Sequence, residues 1–376
     1  MPNQLTNRHL ALSGDLDGES LDALLVTHLP NITYLTGLRA SAGMVLVARK
    51  ELHLLIDSRY LSVASSLMGT DSAPAGLTIV PVDQSYDESV GNLIAEMGYS
   101  RIGVEAEWMS LRQWNWLERR FETAVQTFVP VEGIVEAGRV IKDEDEITCF
   151  RLAGRLIASA IDPIIELVQT GRKELDIAAG IDLILATKGF EDRAFSTIVA
   201  SGPNSALPHA HPSDRLISDG DLVLLDFGGV YGGYCVDVSR TVCVGPVSEQ
   251  SRRFYAAVLE AQARAIAEVA PGVVASKVDN AARSALEKQG FPEAFGHGTG
   301  HGLGLEIHEA PRVGRRGQPG CDVVLEAGMV FTVEPGLYVP GVGGVRIEDD
   351  VLVTKEGSEV LTRPAALATS PGNAAT

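Results

Sequence analysis

The sequence predicts an α/β (α+β) chain of two domains: a small α/β domain over residues 1–140, then a larger domain of helices and strands over 141–368. At 376 residues the chain exceeds the roughly 250–300 residues at which a single hydrophobic core stops growing. Its first third alternates strand-like and helix-like segments, whereas beyond Gly138 long helical patterns are separated by glycine-rich strand-and-turn sequence. The charged run Lys142-Asp143-Glu144-Asp145-Glu146 between the two places the boundary near residue 140.

Taken in order, apolar runs at 44–47 and 52–56 flank the polar Ala48-Arg49-Lys50-Glu51 and read as a hairpin. Residues 77–82 and 102–104 are further strand candidates. Between them Val90, Leu93, Ile94 and Met97 recur at helical spacing and predict a helix over 86–97, and 108–121 reads as another. Past the boundary, Asp143 or Asp145 caps a helix whose apolar positions run over 147–168 until Gly171. Helices follow at 176–188, closed by Gly189, and at 254–269 and 273–289. The small, polar stretch 370–376 is expected to be disordered.

Composition narrows the function. Against 31 basic residues stand 49 acidic ones, a formal net charge of -18. Such a field repels polyphosphate and anionic lipid, which argues against nucleic acid and membrane surfaces as partners. No run of 18 apolar residues occurs, and the first 20 residues lack a basic stretch followed by an apolar one. Cys149, Cys235, Cys243 and Cys321 lie far apart, as reduced thiols do, so a cytoplasmic protein is expected.

The chemistry is concentrated in acids that end apolar strands. In Leu222-Val223-Leu224-Leu225-Asp226-Phe227 and Tyr234-Cys235-Val236-Asp237, two apolar strands flank a glycine-rich turn. With Tyr231-Gly232 as the central turn residues, positions summing to 463 face each other, and Asp226 opposes Asp237. Directly opposed residues share a face with Cβ atoms about 4.5–5.5 Å apart. Two carboxylates that close repel unless a cation lies between them. The pattern recurs at Met329-Val330-Phe331-Thr332-Val333-Glu334 and Val345-Arg346-Ile347-Glu348, where a hairpin centred on Gly341 opposes Glu334 and Glu348. Each pair alone reads more readily as exposed hairpin acids, although that suits Asp226 poorly after Val223, Leu224 and Leu225; two pairs set in apolar strands point to one site.

Five of the eight histidines fall between residues 209 and 308. Gly296-His297-Gly298-Thr299-Gly300-His301-Gly302 and the following His308 sit among glycines that allow close backbone approach. His297 and His211 read as structural, His301 and His308 as site residues. Four carboxylates and one imidazole carry a charge of about -4, which two divalent cations would neutralise, as in hydrolases whose metals lie about 3.5–4 Å apart. Oxygen-rich ligation with one nitrogen favours manganese, with cobalt, zinc or iron as alternatives.

These residues resemble the pita-bread metallopeptidases, which comprise methionine aminopeptidase, prolidase and aminopeptidase P, and the similarity spans essentially the whole chain. The resemblance implies a curved antiparallel sheet flanked by helices and a site that holds two metals. It implies that Asp237 and Glu348 bridge the metals, that Asp226 chelates one, and that His301 and Glu334 hold the other, with Glu334 also transferring the proton. His209 falls where relatives keep a histidine near the tetrahedral intermediate, His308 where one contacts the scissile region, and Arg346 where an arginine stands beside the metals. Arg312 sits where some prolidases grip the substrate's terminal carboxylate, a task suited to a guanidinium; it reads equally as a surface arginine. Asn31-Ile32-Thr33-Tyr34-Leu35-Thr36-Gly37 and Asp57-Ser58-Arg59-Tyr60 look like the creatinase-type N-terminal domain, which methionine aminopeptidases lack and which supports a homodimer in relatives. The expectation is a peptidase acting on proline-containing peptides at Xaa-Pro bonds, an aminopeptidase P acting on longer chains ahead of a prolidase acting on dipeptides. A catalytically silent binding relative would have lost ligands, and a creatinase-like amidinohydrolase works without metals; all five ligand positions are filled here.

Overall fold

The structure, a computed structural model, describes residues 3–363 except 69, 71 and 247. The expected disorder over 370–376 and the last residues of the 141–368 domain lie outside the described residues. The chain divides into two compact units, one up to Arg139 and one from Val140 onward.

The first unit is built on a six-stranded sheet. Its strands are β1 (Ala23–Val26), β2 (Met44–Ala48), β3 (Leu52–Ile56), β4 (Leu77–Pro81), β5 (Arg101–Glu105) and β6 (Thr127–Val131), in the order β4-β3-β2-β1-β5-β6. The expected hairpin is the antiparallel β2–β3 pair; β1–β5, β5–β6 and β3–β4 are parallel. Helices α1 (Gln4–Gly18), α2 (Leu29–Thr36), α3 (Leu61–Met68), α4 (Tyr86–Met97), α5 (Leu111–Arg120) and α6 (Ile134–Val140) connect and flank these strands. The fourth coincides with the expected helix 86–97. The fifth starts later than residue 108, because Ser110 caps it with a reciprocal Gln113 contact. Sequence periodicity missed α1 because Thr6, His9 and Ser13 share its buried face with Leu12 and Leu16. There His9 Nε2 bonds the Ala48 carbonyl at 2.8 Å, and Ser13 Oγ donates to the His9 carbonyl at 2.8 Å.

In the second unit α7 (Glu144–Glu166) begins where the charged run predicted it: Asp143 accepts from the Asp145 and Glu146 amides at 3.0 Å each. Glu146 returns a carboxylate to the Asp143 amide at 2.9 Å, closing a capping box. Then come α8 (Glu174–Thr187), β7 (Asp192–Arg193), β8 (Ile198–Ser201), β9 (Leu222–Tyr231) and β10 (Tyr234–Cys243), followed by α9 (Glu249–Glu268) and α10 (Ala275–Lys288). The C-terminal strands are β11 (Gly300–Gly302), β12 (Glu309–Val313), β13 (Val330–Val333), β14 (Gly336–Val339), β15 (Gly343–Arg346), β16 (Asp349–Thr354) and β17 (Gly357–Val360). One sheet joins β10-β9-β7 with β8 also on β9, another runs β12-β11-β13-β16-β17, and β14–β15 form a ribbon. All these pairings are antiparallel. One core packs Phe150, Ile157, Ile161 and Ile181 against Val223, Leu225 and Phe227; a second packs Phe254, Val258 and Val278 against Phe331, Val333 and Val345.

The register corrects one expectation. The β9–β10 turn is Gly232-Gly233, both at positive φ (57° and 87°), so positions pair to a sum of 465, and Asp226 faces Ser239 while Asp237 faces Gly228. A two-residue turn of this kind needs φ > 0 at both central positions, and a glycine pair meets that demand where Tyr231-Gly232 would strain the tyrosine. The slip of two preserves the face, since side chains alternate with period two. Asp226 and Asp237 are therefore diagonal neighbours on one face, not directly opposed. The second hairpin has the expected centre at Gly341: Val333 pairs with Asp349 and Gly336 with Arg346.

Candidate metal centre

Strand ends converge on a buried acidic cluster. Asp226, Asp237 and Glu348 are buried, and Glu334 and His301 are partly so. At the Glu334–Glu348 rung the ladder opens. The Glu334 amide donates to the Thr299 carbonyl at 2.8 Å, and the Glu348 amide donates to the Ser239 carbonyl at 3.1 Å. This carries the second hairpin to the β9–β10 pair and to the glycine-rich segment at once. Close approach there needs glycine: a Cβ on Gly300 would lie 1.8 Å from the Thr332 carbonyl oxygen.

His301 Nε2 lies 3.8 Å from Asp237 Oδ2 and 3.7 Å from Glu334 Oε1. Its Nδ1 is 3.1 Å from the Gly302 carbonyl, an acceptor, which places the proton on Nδ1 and turns the Nε2 lone pair to the acids. Asp237, His301 and Glu348 each offer a donor atom within 4.8 Å of the other two. Ser239 Oγ donates to Glu348 Oε2 at 2.6 Å. The Arg346 guanidinium, 3% exposed, donates to Asp226 Oδ2, to Ser239 Oγ (2.9 Å), to the Pro208 carbonyl (3.1 Å) and to Tyr338 Oη (2.8 Å).

Burial, then the charges of Glu348 and Asp226, hold the Asp237 carboxyl well above the usual carboxylate range. Glu348 is raised likewise, by burial first and then by Glu334. Burial pushes Glu334 up to about 7, against the pull of Arg346. Burial and the neighbouring His308 press His301 down to about 4. Four carboxylates against one guanidinium are short of positive charge, and Asp226 Oδ1 and Asp237 Oδ1 are buried without a hydrogen-bond partner among the described residues. Oxygens so placed, beside a free imidazole nitrogen, fit divalent cations.

The structure brings the other expected residues to the same region. His308 packs edge-on against His301 with ring centroids 4.3 Å apart, and its ring is exposed. Burial lowers the pKa values of His297 and His308, and the exposed His209 lies close enough for its charge to lower both further. Arg312 is the direct cross-strand partner of His301 and therefore shares its face. His211 is exposed. His297, read from sequence as structural, bonds Tyr338 Oη at 2.9 Å and lies 4.0 Å from Glu334. Sequence reading missed Tyr338, Ser239 and Thr332; Tyr338 links His297 to Arg346, and its position four residues after Glu334 is the only signal it carried.

Comparison with known proteins accords with this geometry. The model of Metallopeptidase family M24 matches residues 148–355, and that of the Creatinase/Prolidase N-terminal domain matches residues 8–141. An Xaa-Pro dipeptidase of Pyrococcus horikoshii is 36% identical over 351 residues, covering 93% of this chain and 94% of the relative. Among solved structures, an Xaa-Pro dipeptidase from Bacillus anthracis superposes with a TM-score of 0.90 at 35% identity, covering 98% of this chain and 99% of that one. An X-Pro aminopeptidase from Thermotoga maritima gives 0.82 at 33% identity, covering 91% and 96%.

Proposed function

We propose, from the premise that the chain belongs to metallopeptidase family M24, that it is an Xaa-Pro dipeptidase hydrolysing the bond between a first residue and a C-terminal proline. The chain is a metal-dependent hydrolase with a pita-bread catalytic fold, and its family uses divalent metals. The buried cluster of four carboxylates and one imidazole, with two oxygens lacking partners, is the observation that carries the reading. Sequence alone leaned towards aminopeptidase P. The relatives bearing the name Xaa-Pro dipeptidase, matched over nearly their full length, support the dipeptidase better. So does Arg312, whose exposed guanidinium on the face of His301 suits the carboxylate of a short substrate.

We assign Asp226, Asp237, His301, Glu334 and Glu348 to hold two divalent ions, manganese first, with cobalt, zinc or iron as alternatives. Bound there, they would supply Lewis-acid polarisation of the scissile carbonyl and a water acidified to near-neutral pKa. The protein's own groups do the rest. Arg346 fixes one oxygen of Asp226 and leaves the other free. Ser239 orients Glu348. Glu334 takes the proton of the attacking water at its carboxylate and returns it to the leaving proline nitrogen. His209 and His308, exposed at the site, contact the scissile region, where charge develops on the carbonyl oxygen.

The test is hydrolysis of an Xaa-Pro dipeptide beside an Xaa-Pro-Yaa tripeptide, with manganese, cobalt, zinc or iron supplied in turn after chelation. Cleavage of the dipeptide is expected. Preferential cleavage of the tripeptide would establish the aminopeptidase reading, which the Thermotoga structure favours. Hydrolysis of neither would remove the peptidase assignment. A homodimer is proposed as the assembly, and sedimentation as a monomer would refute it.

A further inference from the structure

Glu174 opens α8 and is fully buried, yet no cation contacts its carboxylate among the described residues; every side-chain acceptor contact it makes goes to one loop. Its Oε1 accepts from the Ser201 amide (2.7 Å), Ser201 Oγ (2.6 Å) and Asn204 Nδ2 (3.2 Å). Its Oε2 accepts from Asn204 Nδ2 (3.3 Å), the Ser213 amide (3.0 Å) and Ser213 Oγ (2.6 Å). One carboxylate thus ties the start of the loop, at the end of β8, to its finish at Ser213. His209 lies between them. The middle of the loop is pinned from the metal centre: Arg346 donates to the Pro208 carbonyl at 3.1 Å, and Ser205 Oγ accepts from the Gly344 amide at 2.8 Å. Arg215 braces the first anchor, donating to Ser201 Oγ at 2.5 Å and to Asp221 at 2.6 Å.

We infer that Glu174 is a positioning residue for His209, holding both ends of the Ser201-to-Ser213 loop so that the imidazole meets the substrate at a fixed place. The inference rests on the peptidase reading, in which His209 contacts the scissile region. A carboxylate is the group for the task, because its two oxygens accept the several hydrogen bonds that converge on it. An amide in its place keeps the shape but turns an NH2 group towards amide donors at one end of the loop.

The experiment is a kinetic cycle of Glu174→Gln and His209→Ala on the metal-loaded enzyme, with amide hydrogen exchange on the metal-free proteins. Glu174→Gln is expected to lower kcat by about 10²-fold with KM little changed, the scale of loss that misplacement by about 1 Å produces. In the His209→Ala background it should lower kcat no further. Exchange should quicken over 202–212 while the buried turns of α8 around Ile177 and Ile181 keep their protection. Multiplicative losses in the double variant, or unchanged loop exchange, would overturn the inference. Ser213→Ala deletes one hydroxyl, which donates to Glu174 and accepts from the Arg215 amide at 3.2 Å; if Glu174→Gln does not fold, it should show a smaller loss that likewise vanishes without His209. If the unaltered enzyme cleaves no Xaa-Pro peptide, the peptidase reading fails by itself, and the exchange of the loop then decides the positioning.

Discussion

Arg346 is a single buried cation among four acids, and its removal tests the electrostatic account of the site. In Arg346→Met the side chain keeps much of its volume but loses the guanidinium that meets Asp226, Ser239, Tyr338 and the Pro208 carbonyl. The arginine side chain is 3% exposed and that of Asp226 11%, so solvent does little to relieve the orphaned carboxylate. Breaking a buried pair from one side costs about 3–5 kcal/mol. At about 2–4 °C per kcal/mol for a unit of 150–250 residues, the unfolding temperature should fall by roughly 6–20 °C. The assay is thermal unfolding in chelator, so that no bound ion replaces the lost charge. If the penalty is the orphaned charge, Asp226→Asn with Arg346→Met should be more stable than Arg346→Met alone, because Asp226 then no longer stands as an anion deprived of its partner. A double variant as unstable as the sum of the two single changes, or an Arg346→Met within about 1 kcal/mol of the parent, would refute the reasoning.

Other outcomes follow from the same geometry. Asp237→Ala or Glu348→Ala should lower turnover at least about 10³-fold and reduce the metal bound per chain; near-normal rates with either would refute the two-metal reading. Because Glu334 is raised from 4.5 to about 7, with Asp237 and Glu348 raised too, these carboxyls hold more protons in the metal-free folded chain than in the unfolded one, whereas His297 and His301, lowered from 6.5 to about 4, hold fewer. The carboxyls' contribution to stability should therefore fall as pH rises from about 4.5 to about 7, opposed by the histidines up to about 6.5. Manganese binding displaces those protons, so calorimetric titrations in buffers of different ionisation enthalpy should show more release at about pH 6 than at about pH 8. Equal release at both would contradict the cluster's raised pKa values. Gly300→Ala must push β11 away from β13, since its Cβ would meet the Thr332 carbonyl at 1.8 Å; a loss of about 1–3 kcal/mol and weaker metal binding are expected. Unchanged unfolding temperature and metal affinity would count against the close approach.

What the sequence showed and what it hid follow from the range of the interactions. Acids ending apolar strands are a local signal, and Asp226, Asp237, Glu334 and Glu348 stood out for that reason. The pairing of Asp226 with Ser239 was misread because one of two adjacent glycine-containing turns had to be chosen, and φ > 0 at both Gly232 and Gly233 decided it. The start of α7 was legible from Asp143 and Glu146, three residues apart. By contrast, α1 hides its inward face behind histidine, serine and threonine, whose partners come from β2 and its turn, from the Ala75 amide ahead of β4, or from within the helix. Tyr338, and Glu174 at the foot of the His209 loop, acquire their meaning only from contacts across the fold, which no periodicity encodes.

The open rung at Glu334 and Glu348 has a bearing on how such a chain can diversify. Because each glutamate's backbone is tied to a different neighbour, Thr299 or Ser239, the exposed tip of the ribbon beyond them, Pro340 to Val342, can lengthen or shorten without disturbing the acids. A single residue inserted between Val330 and Glu334 would instead turn the acid to the opposite side of the strand. Variation in lineages that keep this chemistry should therefore collect at the tip and be purged from the four residues before Glu334, leaving that turn as the place where new recognition can be tried while the catalytic residues stay put.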